Sequence, residues 1–296
     1  MKIIGIGNIV CDIYYNNGKI IGCNGGKSWA NIVFNLSNMG HDIKVIGNCG
    51  NDDLGQIALD SLKKTKINIS EIQIINKPTN LFHINIVDNE ITTKKRCPIC
   101  QNKTWSDSPI KFKLDPQNIV IIDSIKYLKK LRKQIVMLDI GYQNELELLS
   151  DNEFIDFKNF KFEILNINYR VVKYLIERMK IEKEEDLFNY LNTKLLIITK
   201  GTDGVSYYFK ENNMHFNLSE IAEETDPNGA GDMFFASTIN SYIKNDLIIN
   251  NTFISKSFEE ATQLSKEVVK TIGARGYYQE LYDAPSTYSN CLCKSN

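Results

Sequence analysis

Long apolar runs are missing from this sequence: no stretch of about 18 consecutive apolar residues occurs, so no segment reads as a membrane-spanning helix. The opening Met1 to Val10 is apolar for too short a run to serve as a secretory signal and breaks at glycines, which predicts a cytoplasmic protein. An excess of charge of one sign is missing too. Lys and Arg number 35 against 36 Asp and Glu, a net charge of -1, so no global field draws the chain to nucleic acid or to an acidic membrane, and a small partner is expected. The seven cysteines are an odd number in a chain with no secretory signal, which argues for reduced thiols over a disulfide framework. Repeats, low-complexity tracts and flexible linkers are absent as well. With 296 residues the chain is long enough for one α/β domain with a sizeable core, and a single domain over 1–296 is predicted.

What is present centres on Asp226-Pro-Asn-Gly-Ala-Gly-Asp232, followed at once by the apolar run Met233 to Ile239. A glycine-rich turn running into a helix is an anion site. Gly229 and Gly231 let backbone amides face a ligand, and the first helical turn adds amides without intrahelical partners and the positive end of the helix dipole. Asp232 at that helix start is favoured in its ionised form and is positioned to take a proton from an alcohol attacking a bound phosphoryl group. An ordinary helix N-terminus with a capping Asp is the plainer alternative.

In chain order, a first strand near Lys2 to Ile6 leads to Asp12. Gly5-x-Gly7 resembles a dinucleotide fingerprint only in part, because the third glycine is missing. Tyr14 to Ile21 reads as a hairpin about Asn16-Asn17-Gly18. Gly25-Gly26 then opens a helix with Trp29, Ile32, Val33, Leu36 and Met39 on one stripe, ended by Gly40. Asn31 in its first turns is either a satisfied core amide or a ligand contact. Alternation at Phe82, Ile84 and Ile86 predicts a half-buried strand on which His83 faces solvent more readily than a ligand. From Asn118 onward, short apolar runs closed by Asp123, Asp139, Asn166 and Thr199 alternate with helices, including one over Ser124 to Lys133, as in a parallel sheet covered on both faces. Ligands bind at the carboxyl ends of such strands, where these polar residues fall.

Together these segments resemble the ribokinase family of sugar kinases, also called the PfkB carbohydrate kinase family, over nearly the whole chain. The C-terminal signature Asp-Thr-x-Gly-Ala-Gly-Asp stands here as Asp226 to Asp232. The N-terminal diglycine, Asn and Gly are Gly25, Gly26, Asn31 and Gly40, with Gly50-Asn-Asp52-Asp-Leu-Gly55 after the next strand. A Thr-x-Gly-x-x-Gly element is Thr199, Gly201 and Gly204. The resemblance implies a mostly parallel central sheet with helices on both faces and a small β lid, expected over about 13–24 and 72–114, with a cysteine-containing insertion near 94–108. It implies transfer of the γ-phosphoryl of ATP, with Mg2+, to a hydroxyl of a sugar. Asp232 would be the general base and the backbone of Gly229, Ala230, Gly231 and Asp232 the anion hole. Asp12, Gly25, Gly26 and Asn31 would meet the substrate, and Asn168, Thr199, Gly201, Gly204, Gly229 and Gly273 the nucleotide. A nucleoside kinase of the same family, a catalytically silent sugar or nucleotide sensor, and an interaction module built on the cysteine segment are the alternatives. A monovalent cation near the signature and a homodimer through the lid are further expectations.

Three features depart from the family pattern. Pro227 replaces the signature Thr, removing an N-H and a hydroxyl ahead of the anion hole. Asn168 is not followed three residues later by the Glu that organises magnesium waters in relatives, which also fits the sensor alternative. The diglycine lies one residue further from Asn31 than usual, so a bulge is expected over Lys27 to Ala30. Outside the family pattern, Cys97-Pro-Ile-Cys100 resembles one zinc-ribbon knuckle, and with Cys291 and Cys293 it would complete a four-thiolate structural zinc site.

Overall fold

The computed structural model describes residues 2–87, 90–97, 100–105, 108–131, 133–210, 212–218 and 225–285. The N-terminal part holds β1 (Ile3–Ile6), β2 (Val10–Asn16), β3 (Lys19–Gly26), α1 (Ser28–Asn38), β4 (Ile43–Gly50), α2 (Asp53–Lys63), β5 (Asn68–Ile75), β6 (Asn80–Val87) and β7 (Glu90–Lys94). The middle holds β8 (Ile119–Ile122), β9 (Ile135–Ile140), α3 (Asn144–Glu147), α4 (Asp151–Asn159), β10 (Phe162–Asn168), α5 (Tyr169–Met179) and α6 (Asp186–Tyr190). The chain continues with β11 (Thr193–Thr199), β12 (Val205–Phe209), β13 (Asn212–Phe216), α7 (Ala230–Lys244) and α8 (Asn251–Val268).

The all-apolar runs become a nine-stranded sheet in the order β13-β12-β11-β10-β9-β8-β1-β4-β5, parallel except for β12 and β13. Strands buried on both faces need no alternation of polarity, which is why these runs read as continuous. Successive residues nevertheless serve different cores. Ile3, Val45, Ile119 and Met137 pack with α1, α2, α7 and α8, while Ile4, Ile46, Val120 and Leu138 pack with α4, α5 and α6. Sequence order runs outward from β1 in both directions, through β4 and β5 on one side and β8 to β11 on the other. That reversal opens a crevice at the carboxyl end of β1, where parallel sheets bind ligands.

Gly5 and Gly7 have a steric purpose. A Cβ at either would run into the Trp29 ring, so these glycines let α1 lay its indole flat on β1. A second sheet, in the order β3-β2-β6-β7, stands over that end. Its composition differs from the expected boundaries: β2 begins at Val10, and β5 pairs in parallel with β4 inside the large sheet, so residues 68–75 belong there. The connection between the sheets is tied by Asp52, which caps α2 at Gly55 N and accepts from Thr79 N (2.7 Å) and Thr79 Oγ1 (2.6 Å). The helix predicted over 124–133 is only a 3-10 turn over Ile125–Lys130.

His83 is not solvent-facing. It is buried and takes a 2.9 Å hydrogen bond with Tyr15 through Nδ1, and burial pushes its pKa down to about 4. No helix among the described residues is long and apolar enough to cross a membrane.

Candidate active site

The crevice is built from groups that arrive at one place from distant parts of the sequence. Asp12 comes from β2, Ser28 and Asn31 from α1, Asp139 from β9, Asn166 from β10, and Asp232 from the first turn of α7. The Asn31 amide donates to Asp232 Oδ2 at 2.8 Å, across 201 residues of sequence. Asn166 donates to Asp139 Oδ1 at 2.6 Å. Gathering carboxylates in one crevice is electrostatically costly, and the cost shows in their titration. Burial raises Asp12 to about 7, with Arg275 pulling down and Asp232 and Asp226 pushing up. Burial and the charge of Asp232 raise Asp139 to about 8. Asp232 is also raised by burial, with hydrogen bonds from Asn31 and Ser28 pulling it back down.

The signature turn is held by its own first residue. Asp226 is fully buried and accepts from Asn228 N (2.8 Å) and from Gly273 N (2.8 Å), tying the turn to the chain after α8. Gly229 has φ 88°, the left-handed region that favours glycine, and a Cβ there would meet Ala274 Cα at 2.5 Å. Ala230 N turns back to Pro227 O at 3.3 Å, and Met233 N makes the first helical bond to Gly229 O at 2.9 Å. The amides of Gly231 and Asp232 therefore open the helix without an intrahelical partner. Gly231 faces open space, with nothing within 4 Å of a Cβ built on it. A tetrahedral anion has room there.

The diglycine separates into two steric tasks. A Cβ at Gly26 would overlap the Asp12 carboxylate, and one at Gly25 would come within 2.5 Å of an Arg275 guanidinium nitrogen. The bulge expected over Lys27 to Ala30 is confined to one residue. Lys27 takes φ 83°, while Asn31 N already bonds Lys27 O as in a regular helix. Lys27 Nζ lies 3.2 Å from Asp123 Oδ2, which also accepts from Trp29 N at 3.3 Å. Above the crevice, Tyr142 stacks on Phe82 and Phe82 packs on Trp105, with Lys27 and Lys95 over the Trp105 ring. Tyr142 is 53% exposed and near enough to Asp12 and Asp232 to feel their charges.

On the other side of Gly231 lies a cavity of about 260 Å³ whose lining includes Asn168, Thr199, Gly201, Gly204, Pro227, Ala230 and Gly231, with Val205, Phe234 and Val269 as its apolar wall. Gly273 lies outside this lining, its amide committed to Asp226. Asn168 caps α5 through a 3.0 Å bond from Arg170 N. Thr262 brings a buried hydroxyl with no partner in the protein to the same cavity.

Residues that the sequence reading did not single out include Ser28, Arg275, Trp105, Tyr142 and Thr262. Asp139 and Asn166 had a signal, as polar residues closing apolar strands. Arg275 had none. Cys97 is buried and Cys100 half-buried in a turn closed by Cys97 N to Asn102 O at 3.0 Å. Cys291 and Cys293 lie outside the described residues, and among the described residues no three His, Cys, Asp or Glu side chains gather in a way that could hold a metal.

A sequence profile described as pfkB family carbohydrate kinase matches residues 23–103 and 175–279, more than half of the chain. The bifunctional protein HldE of Hyphomonas neptunium is 23% identical over 222 residues, covering 70% of this chain but only 46% of that protein, so the chain spans about half of its length. Guanosine-inosine kinase of Exiguobacterium acetylicum is 23% identical over 295 residues, 91% of this chain and 90% of the other. Among solved structures, the fructokinase of Xylella fastidiosa with bound ATP superposes with a TM-score of 0.76 at 13% identity over 93% of this chain and 94% of that one.

Proposed function

For a chain that belongs to the pfkB family of carbohydrate kinases, as this one does, we propose ATP-dependent transfer of a phosphoryl group to a hydroxyl of a sugar, with a nucleoside as the alternative acceptor. The observation that carries the reading is Asp232 in the first turn of α7, bonded to Asn31 and beside the open space at Gly231. Asp12 is 3% exposed and its Oδ1 has no partner in the protein, which suits an acceptor oxygen that receives a substrate O-H. Asn31 gives one N-H to Asp232 and keeps a second for the same substrate. The reacting hydroxyl is then placed to pass its proton to Asp232 as its oxygen attacks phosphorus. The Gly231 and Asp232 amides, with the helix dipole behind them, face the charge on the phosphoryl oxygens. The cavity bounded by Val205, Phe234 and Val269 accepts the flat apolar face of a nucleotide base, and Gly231, which also lines it, joins it to the open space at the start of α7.

Magnesium fits the donor set at this end. Asp139 is raised by burial and by the neighbouring Asp232 carboxylate, and Asn166 Oδ1 is buried without a protein partner, so a cation's charge would suit both. With no cluster of three acidic ligands among the described residues, the ion would be held chiefly on nucleotide phosphates and waters, with Asp139 and Asn166 as outer acceptors. When bound, it neutralises charge on the transferring phosphates.

One observation favours a silent sensor instead. The position where relatives carry Glu is Val171, fully buried on the core face of α5. Incubation with ATP, magnesium and a panel of sugars and nucleosides, followed by ADP release, separates the two. Turnover that vanishes in Asp232→Asn supports the kinase. Saturable binding of a panel member with no turnover at any pH would establish the sensor.

A further inference from the structure

Arg275 is 2% exposed, and nothing in the phosphoryl-transfer reading uses it. Its Nε donates to Asn31 Oδ1 at 2.9 Å and a terminal nitrogen donates to Ser61 Oγ at 2.5 Å, while the guanidinium lies 4.9 Å from the Phe34 ring centroid. Ser61 in turn donates to Gln279 Oε1 at 3.0 Å, and Gln279 donates to the Tyr282 hydroxyl at 2.8 Å. A hydrogen-bonded chain thus runs from the C-terminal segment, which pairs with β3 at Cys23, to the carboxylate of Asp232. Room for the guanidinium exists only because residue 25 has no Cβ.

The chemistry of the two ends gives this chain a direction. A guanidinium only donates, so the atom of Asn31 that faces it must be the oxygen. The amide nitrogen is then forced toward Asp232. Without Arg275 the amide could rotate by half a turn and set its oxygen against the carboxylate, turning an attraction into a repulsion. We infer that Arg275 is a positioning residue that locks the Asn31 amide with its N-H toward Asp232, keeping that carboxylate ionised and aimed at the acceptor hydroxyl. The inference rests on the reading of Asp232 as the base. Lys could supply the charge but not two divergent donors in one plane, so the geometry asks for Arg. The titratable and charged groups facing this point are Asp12, Asp123, Asp139 and Tyr142 alongside Arg275, with Lys27 on Asp12 and Asp123.

The test reads Asp232 directly in the unliganded full-length protein, by its carboxyl carbon resonance against pH, assigned by its loss in Asp232→Asn. Arg275→Met is expected to move the Asp232 titration up by about one pH unit or more. Asn31→Ala should move it in the same direction, and the double variant should fall clearly short of the sum of the two, because part of the Arg275 effect passes through that one amide and the rest is its charge. Arg275→Lys should recover only part of the shift. An Asp232 titration unmoved by Arg275→Met in a folded protein would overturn the inference. So would fully additive shifts, which would mean that charge alone acts. Should Met at 275 prevent folding, Arg275→Lys carries the test: a smaller upward shift supports the lock, and none removes it. The measurement needs no turnover, so a protein that binds without phosphorylating still answers it.

Discussion

The two sides of the crevice are made differently. The side proposed for the acceptor is a packed polar network in which Asp12, Asn31, Arg275 and Asp139 are all buried and most partners are distant in sequence. The side proposed for the nucleotide is a more open cavity with an apolar wall, glycines and hydroxyls, and few charges. Side chains with raised or depressed titration discriminate small polar substrates, because a buried group left unpaired costs about 1–3 kcal/mol. Backbone and apolar surface suit a partner common to many enzymes. Changes on the acceptor side should therefore alter chemistry and pH dependence, and those on the nucleotide side should alter affinity.

The sharpest challenge to that contrast is Asp232→Asn, expected to lower turnover by about 10²–10⁴-fold while nucleotide affinity, read by fluorescence titration, stays within a few-fold. Loss of nucleotide binding instead would erase the division between the two sides.

The two glycines at their border sharpen it further. Gly229→Ala places a Cβ against Ala274 at a left-handed φ and should destabilise by about 1–3 kcal/mol in urea unfolding. Gly231→Ala meets open space in a helical turn and should hold or raise stability by about 0.5–1 kcal/mol, yet cut turnover at least about tenfold by filling the phosphoryl position.

The pH dependence of stability isolates the acceptor side. Asp12 and Asp139 keep their protons in the folded state up to about 7 and about 8, against 3.8 for the free groups. The stability they contribute is fully present below pH 3.8 and is lost as pH rises through 7 to 8. Asp139→Asn should flatten that slope and raise stability at pH 8 by on the order of a few kcal/mol, compared by urea midpoints at pH 5 and 8. A slope unchanged in the variant would show that Asp139 is already neutralised by another group.

The smallest expected effect is Thr262→Val on the nucleotide side. Its hydroxyl has no protein partner, so stability should not fall, while KM for ATP should rise about fivefold if the hydroxyl meets the nucleotide.

The glycine-rich turn at a helix start, the strand ends and the parallel sheet were legible because each is local. Gly229, Gly231 and Asp232 are neighbours in the chain, and Asp123, Asp139 and Asn166 close apolar runs. His83 was misread because alternation says which face a side chain takes, not whether the other face is covered; here its neighbours Tyr15 and Leu81 belong to the core built on α2, while Phe82, Ile84 and Ile86 pack with Trp105, Ile272 and Leu281. The lid boundary at 72 failed for a related reason, since β5 has the same apolar content whichever sheet it joins.

What the residues determine alone is a periodicity of apolar runs, a glycine-rich turn at a helix start, and a balance of charge, all of which follow from interactions within a few residues. That Arg275 reaches Asn31, that Gly25 is small for its sake, and that Asp12 loses its water were decided by the tertiary structure. These depend on chain segments more than 200 residues apart meeting in a medium of low polarity, where a donor's direction and a charge's neighbours outweigh any local preference.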